Sequence, residues 1–170
     1  RVRPQRAMAS KLSSLQRQRI ATCVDLVRQH DLAHYLCSTL MKPEYRSNAF
    51  VIHALNCELD QVAKKSTKAH FAALKFKWWT DAISKVCSDS HKIPDHPVVV
   101  SLPELVNESR SGKYFLSKLV QAKVQKVERP LKVVKTLDTI EQHVDSTYSS
   151  LFHLILESSQ VNATAAEEEK

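Results

Sequence analysis

The stretch Val51–Lys65, VIHALNCELDQVAKK, decides the fold class of this chain. Its apolar residues recur at intervals of three and four positions, the spacing that places side chains on one face of an α-helix. The pattern extends back to Glu44, so the sequence predicts an amphipathic helix over residues 44–63. The residues that we expect on its buried face are Val51, Leu55, Leu59 and Val62.

Helical periodicity recurs on both sides of this stretch. Between the two helical halves, Pro94, Pro97 and Pro103 indicate a loop; the valines at 98–100 allow a short strand, but the neighbouring prolines favour a helix entry. The predicted fold class is therefore all-α, a single domain of about six or seven helices. Besides the helix over 44–63 and the one that follows it, we expect helices at 12–29, 32–40, 102–109, 114–127 and 137–159.

The composition excludes several classes of site. The chain has 170 residues with 43% apolar content, which suits one domain with its own core. Gly112 is the single glycine, so the sequence has no glycine-rich loop for cradling phosphates. No apolar run reaches the roughly 18 residues that a membrane-spanning helix requires. We expect residues 12–159 to form the domain, between a basic extension (1–11) and a polar, acidic tail (160–170).

The cysteines are widely spaced, contain no CxxC pair, and each lies in or beside an apolar helical stripe. We expect them to be small buried apolar residues. Zinc is a weak alternative, because the histidines show no diagnostic ligand spacing with a cysteine. The sequence therefore predicts no metal site and no cofactor. The cysteines are Cys23, Cys37, Cys57 and Cys87.

The helix after Lys65 is expected to begin at a cap formed by Ser66 or Thr67 and to end near Ser88. Its adjacent tryptophans diverge by about 100°, so they cannot both point into the same core. We expect Trp78 to face inward and Trp79 to meet another helix or a partner protein. The residues predicted to face the core are Phe71, Leu74, Trp78, Ala82, Ile83 and Val86.

The chain begins with a basic segment that has no acidic residue before Asp25. Arginine and serine without acids are typical of mitochondrial presequences, so we interpret the segment as a mature mitochondrial end, or as part of a leader. A solvated basic tail is the alternative. The basic residues are Arg1, Arg3, Arg6, Lys11, Arg17 and Arg19.

Three stretches stand out when they are taken in order. They are CVDLVRQHDLAHYLCSTLMKPEYRSNAFVIHALNCELDQVAKK (Cys23–Lys65), LKFKWWTDAISKV (Leu74–Val86) and TLDTIEQHVDSTYSSLFHLIL (Thr136–Leu156). Together they resemble the front half of the squalene and phytoene synthase family, over residues 20–158. The resemblance implies the all-α isoprenoid synthase fold. ALNCELDQV and LKFKWW are most similar to a non-catalytic mitochondrial branch of that family, which is associated with assembly of respiratory complex I.

The resemblance places the catalytic motif of the synthases, RxxDDxxD, on this chain. Its arginine and three aspartates correspond to Cys57, Asp60, Gln61 and Lys64, so only Asp60 is kept. The aspartates of active relatives bind magnesium ions that neutralise the leaving diphosphate. Lys64, one helical turn after Asp60, places a positive charge where a cation would bind. The resemblance thus implies a protein without catalysis, and we assign no catalytic residue.

Two further residues match the family pattern. His30 corresponds to a histidine of an early motif, and Arg46 corresponds to an arginine that helps to hold diphosphate in active relatives. The resemblance implies a vestigial diphosphate pocket, in which the Lys64 ammonium can contact a phosphate without a metal. The alternative is that Arg46 pairs with Glu58 or Asp60, and that His30 satisfies a helix end. The predicted pocket residues are His30, Arg46, Asp60, Gln61 and Lys64.

Basic residues dominate the sequence from Arg110 to Lys135, where Glu128 is the one acid. This run predicts a surface for a partner protein or for an anionic lipid such as cardiolipin. Nucleic acid is not favoured, because few aromatic residues lie among the basic ones. A solvated helix face is the alternative. The candidate surface residues are Lys118, Lys123, Lys126, Arg129 and Lys132, together with Trp79.

From the resemblance we expect a non-catalytic protein in the mitochondrial matrix or on the matrix face of the inner membrane. It would contact protein subunits, as an accessory subunit of respiratory complex I or its supercomplex, or as an assembly factor. One alternative is a protein that binds prenyl diphosphate or lipid, or an active prenyltransferase whose second aspartate motif lies in a missing C-terminal half. The other is an RNA-contacting protein associated with the mitochondrial ribosome, which would use the basic run.

Overall fold

The computed structural model describes residues 13–66, 69–88, 90, 92–108, 111–128 and 136–159. Every regular element within these ranges is helical, which confirms the predicted all-α class. The extension (1–11) and the tail (160–170) lie outside the described residues. No described helix is long and apolar enough to span a bilayer. The elements are α1 (Ser14–His30), α2 (Leu32–Leu40), α3 (Pro43–Lys65), α4 (Ala69–Cys87), α5 (Pro97–Glu108), α6 (Gly112–Glu128), α7 (Leu137–Val144), a π-helical turn (Asp145–Ser149) and α8 (Ser150–Ser158).

Helix α3 is the centre of the packing, since α1, α2, α4, α5, α6 and α8 all contact it. Residues 49–57 are all buried, so this part of the helix has no side that faces solvent. The predicted buried face is confirmed, and neighbouring helices cover the other sides as well. The predicted residues that lie in the core are Val51, Leu55, Leu59 and Val62.

The first corner of the fold depends on Asp31, which separates α1 from α2. Its backbone N–H donates the last helical hydrogen bond of α1, to the Val27 carbonyl at 2.8 Å, and its non-helical backbone then ends the helix. Its carboxylate accepts a hydrogen bond from the backbone N–H of His34 at 3.1 Å and thereby begins α2. Pro43 begins α3, at a position where a helix does not need the missing N–H.

Helix α5 begins at Pro97, earlier than the predicted start at Leu102. A proline suits the first helical position because its fixed φ is already helical and no N–H is required there. Val98 and Val99 are buried against the core, so the three valines belong to this helix and do not form a strand. The prolines in this stretch therefore mark a helix start where we expected more loop.

The buried face of α4 differs from the predicted face in the first half of the helix. Ala82, Ile83 and Val86 are buried as expected, but Phe71 and Leu74 are exposed. Apolar residues at helical spacing occur on two adjacent stripes in this half, and periodicity alone does not say which stripe is covered. Packing against α5 and α6 selects the other stripe. Its buried residues are Ala72, Phe76 and Trp79.

The predicted orientation of the two tryptophans was also wrong, because packing covers the other apolar stripe of α4. Trp79 is 4% exposed and belongs to the core, whereas Trp78 is 40% exposed. Their ring centroids lie 5.0 Å apart in an edge-to-face arrangement. Trp79 is therefore not available as a contact surface, and Trp78 is the tryptophan that reaches solvent.

The cysteines are not all buried. Cys23 and Cys57 are buried as predicted, Cys87 is half-buried, and Cys37 is exposed. Burial raises the pKa of the Cys23 and Cys57 thiols to about 12. Cys37 precedes Ser38, the buried residue of α2, and adjacent helical residues point in different directions.

The last helical segment contains a π-helical turn at Asp145–Ser149. The hydroxyl of Thr147 donates to the carbonyl of His143 at 2.6 Å, a side-chain bond that competes with the regular helical pattern. Further along, the Glu157 carboxylate accepts a hydrogen bond from the backbone N–H of Ser111 at 3.1 Å. This bond ties the end of α8 to the start of α6.

Candidate functional site

Asp60, the aspartate that we expected from the family resemblance, lies on α3 and forms an ion pair with Lys123 on α6. Nζ of Lys123 donates to Oδ1 of Asp60 at 2.7 Å. The Lys123 side chain is only 10% exposed, and that of Asp60 is 34% exposed. The charge-assisted hydrogen bond satisfies a carboxylate oxygen and joins α3 to α6.

A cavity of about 230 Å³ adjoins this ion pair between α3, α4 and α6. Its lining combines apolar side chains with three lysines and one carboxylate. Lys64 and Lys126 are exposed, whereas Lys123 is engaged with Asp60. A lining with an excess of positive charge suits an anion such as phosphate and disfavours a divalent cation. The lining residues are Leu59, Asp60, Ala63, Lys64, Phe76, Lys123 and Lys126.

The five predicted pocket residues do not form one pocket. Asp60 and Lys64 line the cavity beside α6, whereas Gln61 lines a second cavity. His30 and Arg46 line neither of these two cavities. Adjacent positions on a helix diverge by about 100°, which explains why Asp60 and Gln61 face different sides.

Gln61 and His30 contact each other on the other side of α3. Nε2 of Gln61 lies 3.1 Å from Nδ1 of His30, the last residue of α1. This side-chain contact holds the end of α1 against α3. His30 thus has a structural partner in Gln61.

Arg46 lies at the corner between α2 and α3, away from Asp60. Its Nη2 donates to the carbonyl of Met41 at 3.0 Å, and its Nε is buried without a hydrogen-bond partner among the described residues. The alternative that we expected, an ion pair of Arg46 with Glu58 or Asp60, was wrong. The partner of the Asp60 carboxylate is Lys123, which is 63 residues away in the sequence.

The second cavity, also of about 230 Å³, is lined by aromatic side chains beside α4. The rings of Trp78, Trp79 and His96 lie edge-on to one another, with centroids 5.0, 5.7 and 5.1 Å apart. Burial lowers the pKa of His96 and so favours its neutral form. This aromatic cluster joins α4 to the segment before α5. The remaining lining residues are Glu58, Gln61, Val62, Lys65 and Lys75.

Two histidines and an aspartate lie together where α2 meets α3. Nδ1 of His34 is 2.6 Å from Oδ2 of Asp31, and the His34 ring centroid is 4.3 Å from that of His53. Burial, assisted by the nearby His34, lowers the pKa of His53 to about 4. Burial acts to raise the pKa of Asp31, but hydrogen bonds from His34 outweigh it and the pKa lies below its ordinary value. Neither histidine was among the predicted site residues.

The predicted basic surface is partly used for contacts within the molecule. Lys118 donates to Oδ2 of Asp145 at 2.6 Å, and this hydrogen bond raises the pKa of Lys118. Lys123 is buried against Asp60 and is not a surface residue, contrary to the prediction. Lys126 is exposed. Arg129 and Lys132 lie outside the described residues.

Lys123 is the residue whose role the sequence pattern did not reveal, although a signal was present. It lies three and four positions after Val120 and Leu119, which are buried, so it continues the apolar stripe of α6. A lysine on a core-facing stripe requires a partner. Within the described ranges, no group of three or more His, Cys, Asp or Glu residues is placed to hold a metal ion.

Comparisons with known proteins place this helical fold in a family. Residues 27–169 match the family model described as squalene/phytoene synthase. The chain is 32% identical over 140 residues to the NADH dehydrogenase (ubiquinone) complex I, assembly factor 6 homolog of Drosophila melanogaster, covering 79% of this chain and 41% of that protein. It is 29% identical over 135 residues to the assembly factor 6 proteins of Bos taurus and Homo sapiens, covering 79% of this chain and 39% of each of them.

The chain therefore spans about two fifths of the length of the curated relatives that it matches. No solved structure matches it. The relatives are named as assembly factors and not as enzymes. Since the family match extends over residues 27–169, this all-α chain belongs to the squalene/phytoene synthase family.

Proposed function

We propose that this chain takes part in the assembly of mitochondrial respiratory complex I, as an assembly factor or as an accessory subunit, and that it does so without catalysis. The observation that carries the proposal is the similarity, over 79% of the chain, to proteins named as complex I assembly factors. Because the chain matches only 39–41% of the length of those proteins, the proposal concerns the helical part that they share with it.

The ion pair between Asp60 and Lys123 supports the non-catalytic part of the proposal. Ionisation of a prenyl diphosphate requires magnesium ions held by carboxylates and phosphates. Here the Lys123 ammonium donates to Oδ1 of Asp60 at 2.7 Å, so this carboxylate oxygen is already engaged by a positive charge. Lys64 adds a further positive charge to the same cavity. Both lysines oppose binding of a divalent cation by direct repulsion.

The basic beginning of the chain supports a mitochondrial location. The segment before Asp25 is rich in arginine and serine and lacks acids, as mitochondrial targeting segments do. The mitochondrial matrix, or the matrix face of the inner membrane, is the location that fits contacts with complex I subunits. We expect those contacts to be with protein.

Purification of native mitochondrial complexes through a tag on this chain tests the proposal. In mild detergent, recovery with immature subcomplexes of complex I would indicate an assembly factor. Recovery at one copy in the mature complex would indicate an accessory subunit. Recovery with ribosomal RNA, or with no complex I subunit, would overturn the proposal. Magnesium-dependent turnover of a prenyl diphosphate by the purified chain would overturn its non-catalytic part.

A second candidate function, binding of a phosphate-bearing lipid or prenyl diphosphate without turnover, is favoured by the cavity beside Asp60. Its lining carries Lys64, Lys123 and Lys126, and an ammonium contacts phosphate without a metal. Calorimetric titration with an isoprenoid diphosphate should then show heat that Lys64→Glu removes. Lys77→Glu, an exposed change on α4 outside the cavity lining, is the matched control. Absence of both heat and thermal stabilisation would exclude this candidate.

A further inference from the structure

A row of large apolar side chains is exposed along the last helical segment, on the side away from the core. Each of the six is between 41% and 68% exposed. The π-helical turn packs against α6, and α8 packs against α3 and α6, whereas α7 has no buried residue. Contiguous apolar rows of this kind on a folded surface mark binding sites. We name this row the outer stripe. It consists of Leu137, Ile140, Val144, Tyr148, Phe152 and Leu156.

The π-helical turn at Asp145–Ser149 keeps the outer stripe continuous. In a regular α-helix, residues four positions apart drift around the axis by about 40° at each step. A π-helical turn contains more residues than an α-helical turn and offsets this drift. Val144, before the turn, and Phe152, after it, are both exposed as a result. From Leu137 to Leu156 the stripe is about 30 Å long, at about 1.5 Å per residue.

The helical segment that carries the outer stripe is acidic, although one of its acids, Asp145, is paired with Lys118 of α6. Between Thr136 and Ser159 the sequence has four acids and no lysine or arginine, although the whole chain carries a net charge of +7. Asp138 and Glu141 are exposed beside the stripe. At Asp138 and Glu141, a second copy of the stripe would therefore meet like charges. A partner with basic residues beside an apolar face is complementary.

We propose that the outer stripe binds an amphipathic helix of another protein, with apolar residues every three or four positions and with lysine or arginine on both sides of them. A helix laid along a 30 Å row makes about five turns of contact. This inference deepens the proposed function and rests on it, because it names the kind of subunit segment that the chain would hold during assembly.

Binding of two designed peptides tests the proposal directly. The probes are fluorescent helices of about 20 residues with the same leucine face, one flanked by lysines and the other by glutamates. The lysine peptide should bind the purified chain, and Val144→Asp with Phe152→Asp should weaken it roughly tenfold or more. Leu40→Asp, at an 87% exposed position on α2, is the matched control and should leave the affinity unchanged. Circular dichroism verifies that each variant is folded.

The other outcomes overturn the proposal. Equal affinity for both peptides, or equal binding by the double variant, would show that the stripe and its charges do not select the ligand. Concentration-dependent dimerisation that the double variant abolishes would assign the stripe to a second copy. Loss of sedimentation with cardiolipin-containing vesicles in the double variant would assign it to a membrane.

The same double variant separates this inference from the proposed function. If the tagged wild-type chain recovers complex I subunits and the double variant recovers them equally well, the inference fails and the proposed function stands. If the wild-type chain recovers none but binds the lysine peptide through the stripe, the proposed function fails while the docking surface remains.

Discussion

Nζ of Lys123 lies 2.7 Å from Oδ1 of Asp60, so a lysine of α6 forms a close ion pair with an aspartate of α3. The pair differs from the ion pair of Arg19 with Asp95, which spans 3.3 Å and leaves the Asp95 side chain 91% exposed. Water screens the exposed pair, whereas the largely buried pair has little water to replace a lost partner. The two pairs should therefore respond differently to mutation.

Lys123→Ala is expected to lower the free energy of unfolding by about 1–3 kcal/mol, since it leaves a partly buried carboxylate without its donor. Urea denaturation measures this change. Asp60→Asn should cost less in the background of Lys123→Ala than in the wild-type chain, because the two residues act as a pair.

Asp95→Asn is the control for this measurement and should change the free energy of unfolding by less than about 1 kcal/mol. Equal costs for Lys123→Ala and Asp95→Asn would contradict the structural role that we assign to the buried pair.

The stability of the chain should fall as the pH decreases from about 6.5 to about 4, because burial lowers the pKa of His53 to about 4. Between these values the unfolded chain binds a proton that the folded chain excludes, so acid favours unfolding. The contribution of His53 is on the order of 3 kcal/mol and is fully present above pH 6.5. Urea denaturation across this pH range measures it.

His53→Phe should flatten the pH dependence in this range, since the aromatic ring remains next to His34 but can no longer titrate. His70→Gln, which changes an exposed histidine on α4, should retain the wild-type slope. The assignment is wrong if His53→Phe and the wild-type chain lose stability in parallel between pH 6.5 and pH 4.

The two tryptophans should be distinguishable by mutation and by fluorescence. Trp79→Ala is expected to cost roughly 3–5 kcal/mol, because it removes a large side chain from the core. Trp78→Ala should cost about 1 kcal/mol, mainly through the lost edge-to-face contact. Chemical denaturation of both variants measures the difference.

Fluorescence provides an independent reading, since the chain has only two tryptophans. Emission of the Trp78→Phe variant, which retains buried Trp79, should lie at shorter wavelength and resist quenching by acrylamide. The Trp79→Phe variant should behave in the opposite way. If instead the variant that retains Trp78 emits at shorter wavelength and resists quenching, the orientation that we expected from the sequence is correct.

Cys37 should react first when the folded chain is treated with a thiol reagent such as DTNB, because it is exposed. Cys23 and Cys57 should react only on unfolding, since burial raises their thiol pKa to about 12 and excludes the reagent. Cys37→Ser should remove the fast phase of labelling. If the fast phase persists in this variant, another cysteine reacts first and the prediction for Cys37 is wrong.

The sequence predicted best where local periodicity determines structure. The predicted residues of α3 are buried because they share one helical stripe, but the pattern did not reveal that residues 49–57 are covered on every side. The start of α4 is ambiguous because Phe71 and Ala72 begin competing stripes, and only contacts with other helices select between them. Pro97 was assigned to a loop because a proline is compatible both with a turn and with a first helical position.

The candidate site was predicted less well, for a different physical reason. The family resemblance led us to expect Asp60 in the site, but its partner Lys123 is 63 residues away in the sequence. Helical periodicity describes which side a residue faces and does not describe which helix lies opposite. Lys123 could be recognised as a lysine on an apolar stripe, yet its pairing with Asp60 depends on the packing of α3 against α6.

The complete burial of residues 49–57 also limits how this chain can change during evolution. On an ordinary amphipathic helix, solvent-facing positions accept most substitutions. In this segment of α3 every position has protein on its outer side, so a charged or larger residue at any of them should be selected against. Substitutions should therefore accumulate in the peripheral helices, and the middle of α3 should change slowly.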